Sequence, residues 1–243
     1  MYYTGSTQIK DFLKCESCAL AKLNGTFEEE KSKAMLVSSY IDEAISGTLD
    51  KFKENNPEIF LKNGDLKADY KIADEVLNQM YSDDLFMKYL NGKHQVILTG
   101  EISGVPIKIK MDSYHEHKCI VDLKAIANFD LIWNDSTKQK ENFIDYYDYV
   151  LQGALYQEIV RQNTGETLPF VIAAATKQKY SRRALLQIPQ EKLDYKLQFL
   201  QAYLPHLQEL KLNKVVPTSC ERCNFCISNQ KCTQLYFYED YNY

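Results

Sequence analysis

The chain has 243 residues, of which 45% are hydrophobic and 26% charged, with a net charge of −4 and a pI near 5.7. That composition is ordinary for a globular protein with a sizeable core, and the acidic balance excludes a protein that coats nucleic acid by bulk attraction alone. No segment is long and apolar enough to span a bilayer, and "MYYTGSTQIKDF" lacks the basic start and apolar run of a secretory signal, so a cytoplasmic protein without a membrane partner is expected. In that compartment seven cysteines point to a metal site rather than a disulfide framework.

No repeat, low-complexity tract or linker divides the sequence, so the expectation is a single domain over 1–243. It comprises a mainly helical part over 1–92, a core over 93–189, and a helix with a cysteine-rich segment over 190–243. "STQIKDFLKCESCALAKL" opens with capping candidates. "TFEEEKSKAMLVSSYIDEAISG" carries acids at its start and Gly47 at its end, and "DYKIADEVLNQMYSDDLFMKYLNG" is a third helical stretch closed by a glycine. The pattern then changes to strands: "QVILTGEI", a turn at Ser103-Gly104, "VPIKIKMD", a polar loop "SYHEHK" and "CIVDLKA".

These strands read as an antiparallel meander. A polar connection leads to a long helix, "ENFIDYYDYVLQGALYQEIVRQ". The apolar run "LPFVIAAAT" reads as a central strand, "ALLQIP" as a shorter one, and "QEKLDYKLQFLQAYLPHLQEL" as a helix that Pro205 should kink or interrupt. A meander, a helix and a further central strand make an α/β domain with a mixed sheet.

"CIVDLKA" places Asp122 and Lys124 on one face of an apolar strand, where charges need a partner or a metal to justify them. In "VPIKIKMD", Val105, Ile107, Ile109 and Met111 alternate with Lys108, Lys110 and Asp112. A simple reversal brings Asp112 beside Asp122. Two carboxylates suit a hard divalent cation, and a lysine beside them can orient water and balance charge on a phosphate. On the next helix Gln152 and Tyr156, at i and i+4, share a face.

Asp112, the triplet Asp122-Leu123-Lys124 and the Q-x-x-x-Y pair Gln152 and Tyr156 resemble the PD-(D/E)XK nuclease superfamily, and within it the RecE-like phage and prophage exodeoxyribonucleases. The resemblance implies a restriction-endonuclease-like core: a central mixed sheet flanked by helices, with a helical amino-terminal part and 93–189 as its catalytic core. It implies Mg²⁺ or Mn²⁺ held by Asp112, Asp122 and the Leu123 carbonyl, with Lys124, Gln152 and Tyr156 completing the catalytic set. Glu101 falls where some members carry a further acid. Asp42 falls where many relatives carry a metal-ligating histidine, with Ser38 in place of their glycine.

What the resemblance implies for function is 5′→3′ digestion of linear double-stranded DNA, serving a RecT-type annealing partner in phage recombination, by a bacterial or phage-encoded protein. Related exonucleases form rings, so a homo-oligomer is a further expectation. The rivals are a single-strand-acting nuclease of the CRISPR-adaptation or AddB type, and a non-catalytic DNA-binding protein on the same fold.

"CERCNFCISNQKC" suits Zn²⁺ or an iron–sulfur cluster. Resemblance to iron–sulfur nucleases names Cys15 as the fourth ligand beside Cys223, Cys226 and Cys232, making a [4Fe-4S] site. Cys220 or Cys18 can substitute, and Cys220, Cys223, Cys226 and Cys232 can make a local zinc site. "HEH" at His115–His117 reads as a solvated loop. Tyr146, Tyr147 and Tyr149 offer base stacking or core packing, and Lys177, Lys179, Arg182 and Arg183 form a basic cluster that either contacts phosphates or lies in a solvated turn.

Overall fold

The computed structural model describes residues 2–30, 32–232, 234–235 and 237–240. Its elements are, in order, α1 (Ser6–Lys14), α2 (Glu16–Leu23), α3 (Lys33–Ile45), α4 (Leu49–Asn55), α5 (Ala68–Tyr81), α6 (Asp84–Leu90), β1 (Lys93–Ile102), β2 (Val105–His115) and β3 (Cys119–Ile126). They continue with β4 (Ile132–Asn134), β5 (Gln139–Glu141), α7 (Phe143–Tyr146), α8 (Tyr149–Thr164), β6 (Phe170–Thr176), β7 (Arg183–Gln187), α9 (Gln190–Lys211) and α10 (Asn224–Ser228). The expected α/β class with a central mixed sheet is what the chain adopts. Two compact units emerge, one formed by Thr7–Glu29 with His206–Tyr243, the other by Tyr2–Ser6 with Glu30–Pro205.

In the larger unit a five-stranded sheet has the order β1-β2-β3-β6-β7, with β3 and β6 parallel and the other neighbours antiparallel. The Ser103-Gly104 turn has positive φ at both residues, 49° and 77°, the backbone twist that a two-residue hairpin requires. β6 is buried along its whole length, as its unbroken apolar run demands of a strand covered on both faces. Val121, Leu123, Val171, Ala173 and Ala175 pack with Tyr40, Ile41, Val76, Met80, Phe86 and Leu90 of α3, α5 and α6. The alternate residues of β3 turn to α8, whose central turns are buried from Val150 to Val160.

Several elements differ from the sequence expectation through local capping. The Thr26–Gly47 stretch becomes helical only at Lys33, where Ser32 Oγ accepts the Met35 N–H. The helix over 69–92 divides at Asp83, whose carboxylate caps the Phe86 N–H and pairs with Arg183. The long helix over 141–162 breaks at Asp148, held at φ 47° while it caps the Leu151 N–H. Helices α4 and α10 and the small β4–β5 hairpin were not expected.

Pro205 does not interrupt its helix: α9 continues through it. Proline removes the N–H that would bond the carbonyl four residues earlier, Gln201. That carbonyl, on the exposed side of the helix, instead accepts the Ser103 hydroxyl at 2.9 Å.

Candidate active site

Ser113, Tyr114 and His115 of β2 pair with Val121, Ile120 and Cys119 of β3, and the paired register ends there. The next pair would set Asp112 opposite Asp122. Instead the Asp112 carboxylate accepts the Leu123 N–H at 3.0 Å, replacing a backbone acceptor of the ladder. Opening two strands at this point exposes both acids to one space, while the parallel β3–β6 ladder continues intact to Ile126 and Thr176.

Asp122 is 2% exposed. Gln152 Nε2 donates to its Oδ1 at 2.6 Å, and the Lys124 ammonium pairs with its Oδ2 at 2.5 Å. Tyr156 donates its hydroxyl to the Lys110 carbonyl at 3.0 Å. The structure therefore brings together Asp112, Asp122, Leu123, Lys124, Gln152 and Tyr156.

Asp42, on α3, joins them electrostatically, and its Oδ1 is buried without a hydrogen-bond partner. Burial pushes its carboxyl up to about 7, an effect that Lys124 opposes and Asp122 reinforces. Burial, then the Asp122 charge, pushes Asp112 up to about 8. Burial alone would lower the Lys124 ammonium, but Asp122 and Asp112 outweigh it and raise the group. Three acids share the single Lys124 ammonium, so in the absence of a further cation Asp42 and Asp112 keep their protons to higher pH. A divalent cation would take the place of those protons and fits the orphaned oxygen of Asp42.

Glu101 is not brought to this group. It is exposed near the hairpin end of β1, opposite Pro106. Pro106 lies six residues along β2 from Asp112, about 20 Å at strand rise. The Glu101 main chain is occupied by Gln162, whose side-chain amide bonds both its N–H and its carbonyl.

Tyr149, Lys177 and Ser38 complete the surroundings. The Tyr149 ring lies under Lys124, 4.8 Å from the ammonium. Its spacing was legible, because Tyr149, Gln152 and Tyr156 recur at steps of three and four along α8. Lys177 Nζ donates to the Ala34 carbonyl and the Ser38 hydroxyl at 2.9 and 2.8 Å, and Ser38 also reaches the Ala125 carbonyl at 3.2 Å. Ser38 thus ties α3 to the end of β3, next to Lys124.

The weaker signals separate cleanly. His117 pairs with Glu166 at the exposed reversal, and His115 Nε2 lies 2.7 Å from the Tyr89 carbonyl. Arg183 is engaged by Asp83, and Arg182 stands over Phe129. Tyr146 and Tyr147 are 38% and 46% exposed, leaving faces for a ligand.

In the smaller unit, Cys15, Cys220, Cys223 and Cys226 bring their sulfurs within 4.8 Å of one another. Cys232 is exposed and outside the group, so Cys220 takes the place expected for it. The sequence could not choose between them, since Cys220 precedes and Cys232 follows the Cys223-x-x-Cys226 pair at short range. Cys15 caps α2, accepting the Cys18 N–H, and burial pushes its thiol up to about 12. The Arg222 N–H holds the Cys220 thiol down at about 6.

An opened antiparallel ladder bearing Asp112 and Asp122-x-Lys124, closed by Gln152 and Tyr156 from the following helix, defines a nuclease of the PD-(D/E)XK class. The chain matches, over residues 5–229, the family described as PDDEXK-like domain of unknown function (DUF3799), and it belongs to that family. A crystal structure from Eubacterium rectale, titled "Putative exonuclease", superposes with a TM-score of 0.91 at 42% identity, covering 97% of this chain and 91% of the other. No curated protein matches. Among the described residues no helix is long and apolar enough to cross a membrane.

Proposed function

We propose that the protein is a divalent-metal-dependent exodeoxyribonuclease acting on linear double-stranded DNA. The observation that carries this reading is the buried Asp122–Lys124–Gln152 constellation beside Asp112, at the point where the β2–β3 ladder opens. Asp112, Asp122, the Leu123 carbonyl and Asp42 would hold Mg²⁺ or Mn²⁺, which supplies Lewis-acid polarisation of the scissile phosphate and a more acidic water. Glu101 has no part in it.

Lys124 orients the attacking water and balances the charge that develops on the phosphate oxygens. Gln152 fixes the Asp122 carboxylate, so that its other oxygen keeps one orientation. Tyr156, anchored on the Lys110 carbonyl, holds α8 against β2 and keeps Gln152 in register. The family resemblance supports 5′→3′ polarity, a RecT-type annealing partner and an oligomer. The neighbour's title supports exonuclease chemistry.

Duplex DNA labelled at either end, incubated with wild type and Lys124→Ala in Mg²⁺, Mn²⁺ or EDTA, tests the proposal. Metal-dependent shortening by the wild type alone, with the 5′ label lost first, is the expected result. Binding without cleavage in any metal would leave a non-catalytic DNA-binding protein. A second reading, attack on single strands, draws on the exposed Tyr146 and Tyr147 faces next to Tyr149. Faster loss of single-stranded than of double-stranded label would favour it.

A further inference from the structure

The resemblance to iron–sulfur nucleases implies a four-iron cluster on Cys15, Cys223, Cys226 and Cys232. The four thiols that the fold gathers do not fit that group, in membership or in spacing. Cys15 and Cys226 sulfurs are 3.5 Å apart, Cys220 and Cys226 sulfurs 4.0 Å, and all four lie within 4.8 Å. One ion bound tetrahedrally at a Zn–S distance of about 2.3 Å sets its sulfurs about 3.8 Å apart. A cube of four irons holds its thiolates much farther apart, because each caps a different corner.

The set is built without help from sulfur chemistry. Glu16, adjacent to Cys15, accepts the Thr218 N–H and hydroxyl at 2.8 Å each and lies 2.7 Å from His206 Nε2. The Ser17 N–H and hydroxyl both reach the Thr218 carbonyl at 3.0 Å, and Ser219 donates to Ser17. This clasp holds the segment leading to Cys220 against the start of α2. Within the C-x-x-C loop, Glu221 adopts φ 61° and the Cys223 N–H reaches Cys220 Sγ at 3.4 Å. The Cys18 N–H likewise reaches Cys15 Sγ at 3.5 Å. Such N–H···S bonds orient ligands and spread thiolate charge.

We propose that Cys15, Cys220, Cys223 and Cys226 form a closed structural site for one tetrahedral thiophilic ion, Zn²⁺, and that Cys232 is not a ligand. The site stands whether or not the nuclease reading holds.

The test is metal and sulfide analysis of the full chain, purified without oxygen from cells supplied with both iron and zinc, followed by replacement of the metal with Co²⁺. The expected result is one zinc per chain, no acid-labile sulfide, and intense tetrahedral ligand-field bands with thiolate-to-cobalt charge transfer. Cys232→Ser should retain the full metal content and Cys220→Ser should lose it. Iron with stoichiometric sulfide and a brown chromophore would overturn the proposal. So would a chromophore that survives Cys220→Ser but not Cys232→Ser, or a metal-free wild type giving only weak octahedral Co²⁺ bands. Should Cys220→Ser fail to fold, the wild-type cobalt spectrum and sulfide content decide alone.

Discussion

The Lys124 ammonium sits between the Asp122 carboxylate at 2.5 Å and the Tyr149 ring at 4.8 Å. The ring is itself fixed by Phe143 and Tyr147, at centroid distances of 6.2 and 5.7 Å. When a cation engages Asp122, Lys124 must yield part of that contact, and the ring face is the partner that stays. A desolvated cation–π contact is worth about 1–2 kcal/mol. Tyr149→Leu should therefore lower single-turnover cleavage about five- to thirtyfold, with little change in KM for DNA. Tyr149→Phe keeps the π face and should restore the rate. Equal impairment in both variants would assign the effect to the hydroxyl instead.

The raised carboxyls of Asp112 and Asp42, at about 8 and about 7, make the metal-free protein sensitive to pH. In the unfolded chain both lose their protons near pH 4. Between that pH and about 8 the folded state binds more protons than the unfolded one, so stability falls as pH rises through the window. In EDTA the wild-type Tm should drop from about pH 5 to about pH 8 more steeply than that of Asp112→Asn. A divalent cation displaces the same protons. Its binding should tighten with pH, and calorimetry in buffers of different ionisation enthalpy should detect proton release near neutrality. No proton release, with parallel Tm profiles for the two proteins, would count against these acids as the metal site.

Strand β3 was legible as a candidate site because it breaks a pattern: Asp122 and Lys124 interrupt an apolar run that has no other reason to carry charge. Gln152 and Tyr156 were legible through helical spacing. Glu101 falls away from the group because strand position depends on hairpin register, and the Ser103-Gly104 turn carries it to the far end of β1 from Asp112. At Pro205 the carbonyl that the proline leaves without its helical donor is met by a hydroxyl about a hundred residues away, at Ser103, which no local pattern shows. Choosing Cys220 over Cys232 likewise needed the Glu16–Thr218 clasp, a contact across 202 residues of sequence.

Gly153 sets how closely α8 approaches the sheet. A Cβ there would meet Phe170 Cδ1 at 2.6 Å and Leu193 Cδ2 at 3.0 Å, with Phe170 fully buried and unable to yield cheaply. Gly153→Ala should destabilise the protein by about 1–3 kcal/mol, despite the better helix propensity of alanine. Displacing α8 also strains the 2.6 Å bond from the neighbouring Gln152 to Asp122. Cleavage should fall together with Tm, and a variant with lower Tm but unchanged kcat would uncouple helix packing from the site.

Lys124 carries a structural duty beside the catalytic role proposed for it. Removing it leaves Asp122, 2% exposed, as a buried charge with only the Gln152 amide in support. Breaking a buried pair on one side typically costs about 3–5 kcal/mol. In EDTA, Lys124→Ala should unfold at markedly lower denaturant than the wild type. A saturating divalent cation supplies the missing positive charge, so Mn²⁺ should narrow the gap by raising the mutant's midpoint more than the wild type's. Asp122→Asn with Lys124→Ala removes both charges and should be more stable in EDTA than Lys124→Ala alone. A double variant no more stable than the single one would show that the lost stability comes from side-chain packing rather than from uncompensated charge.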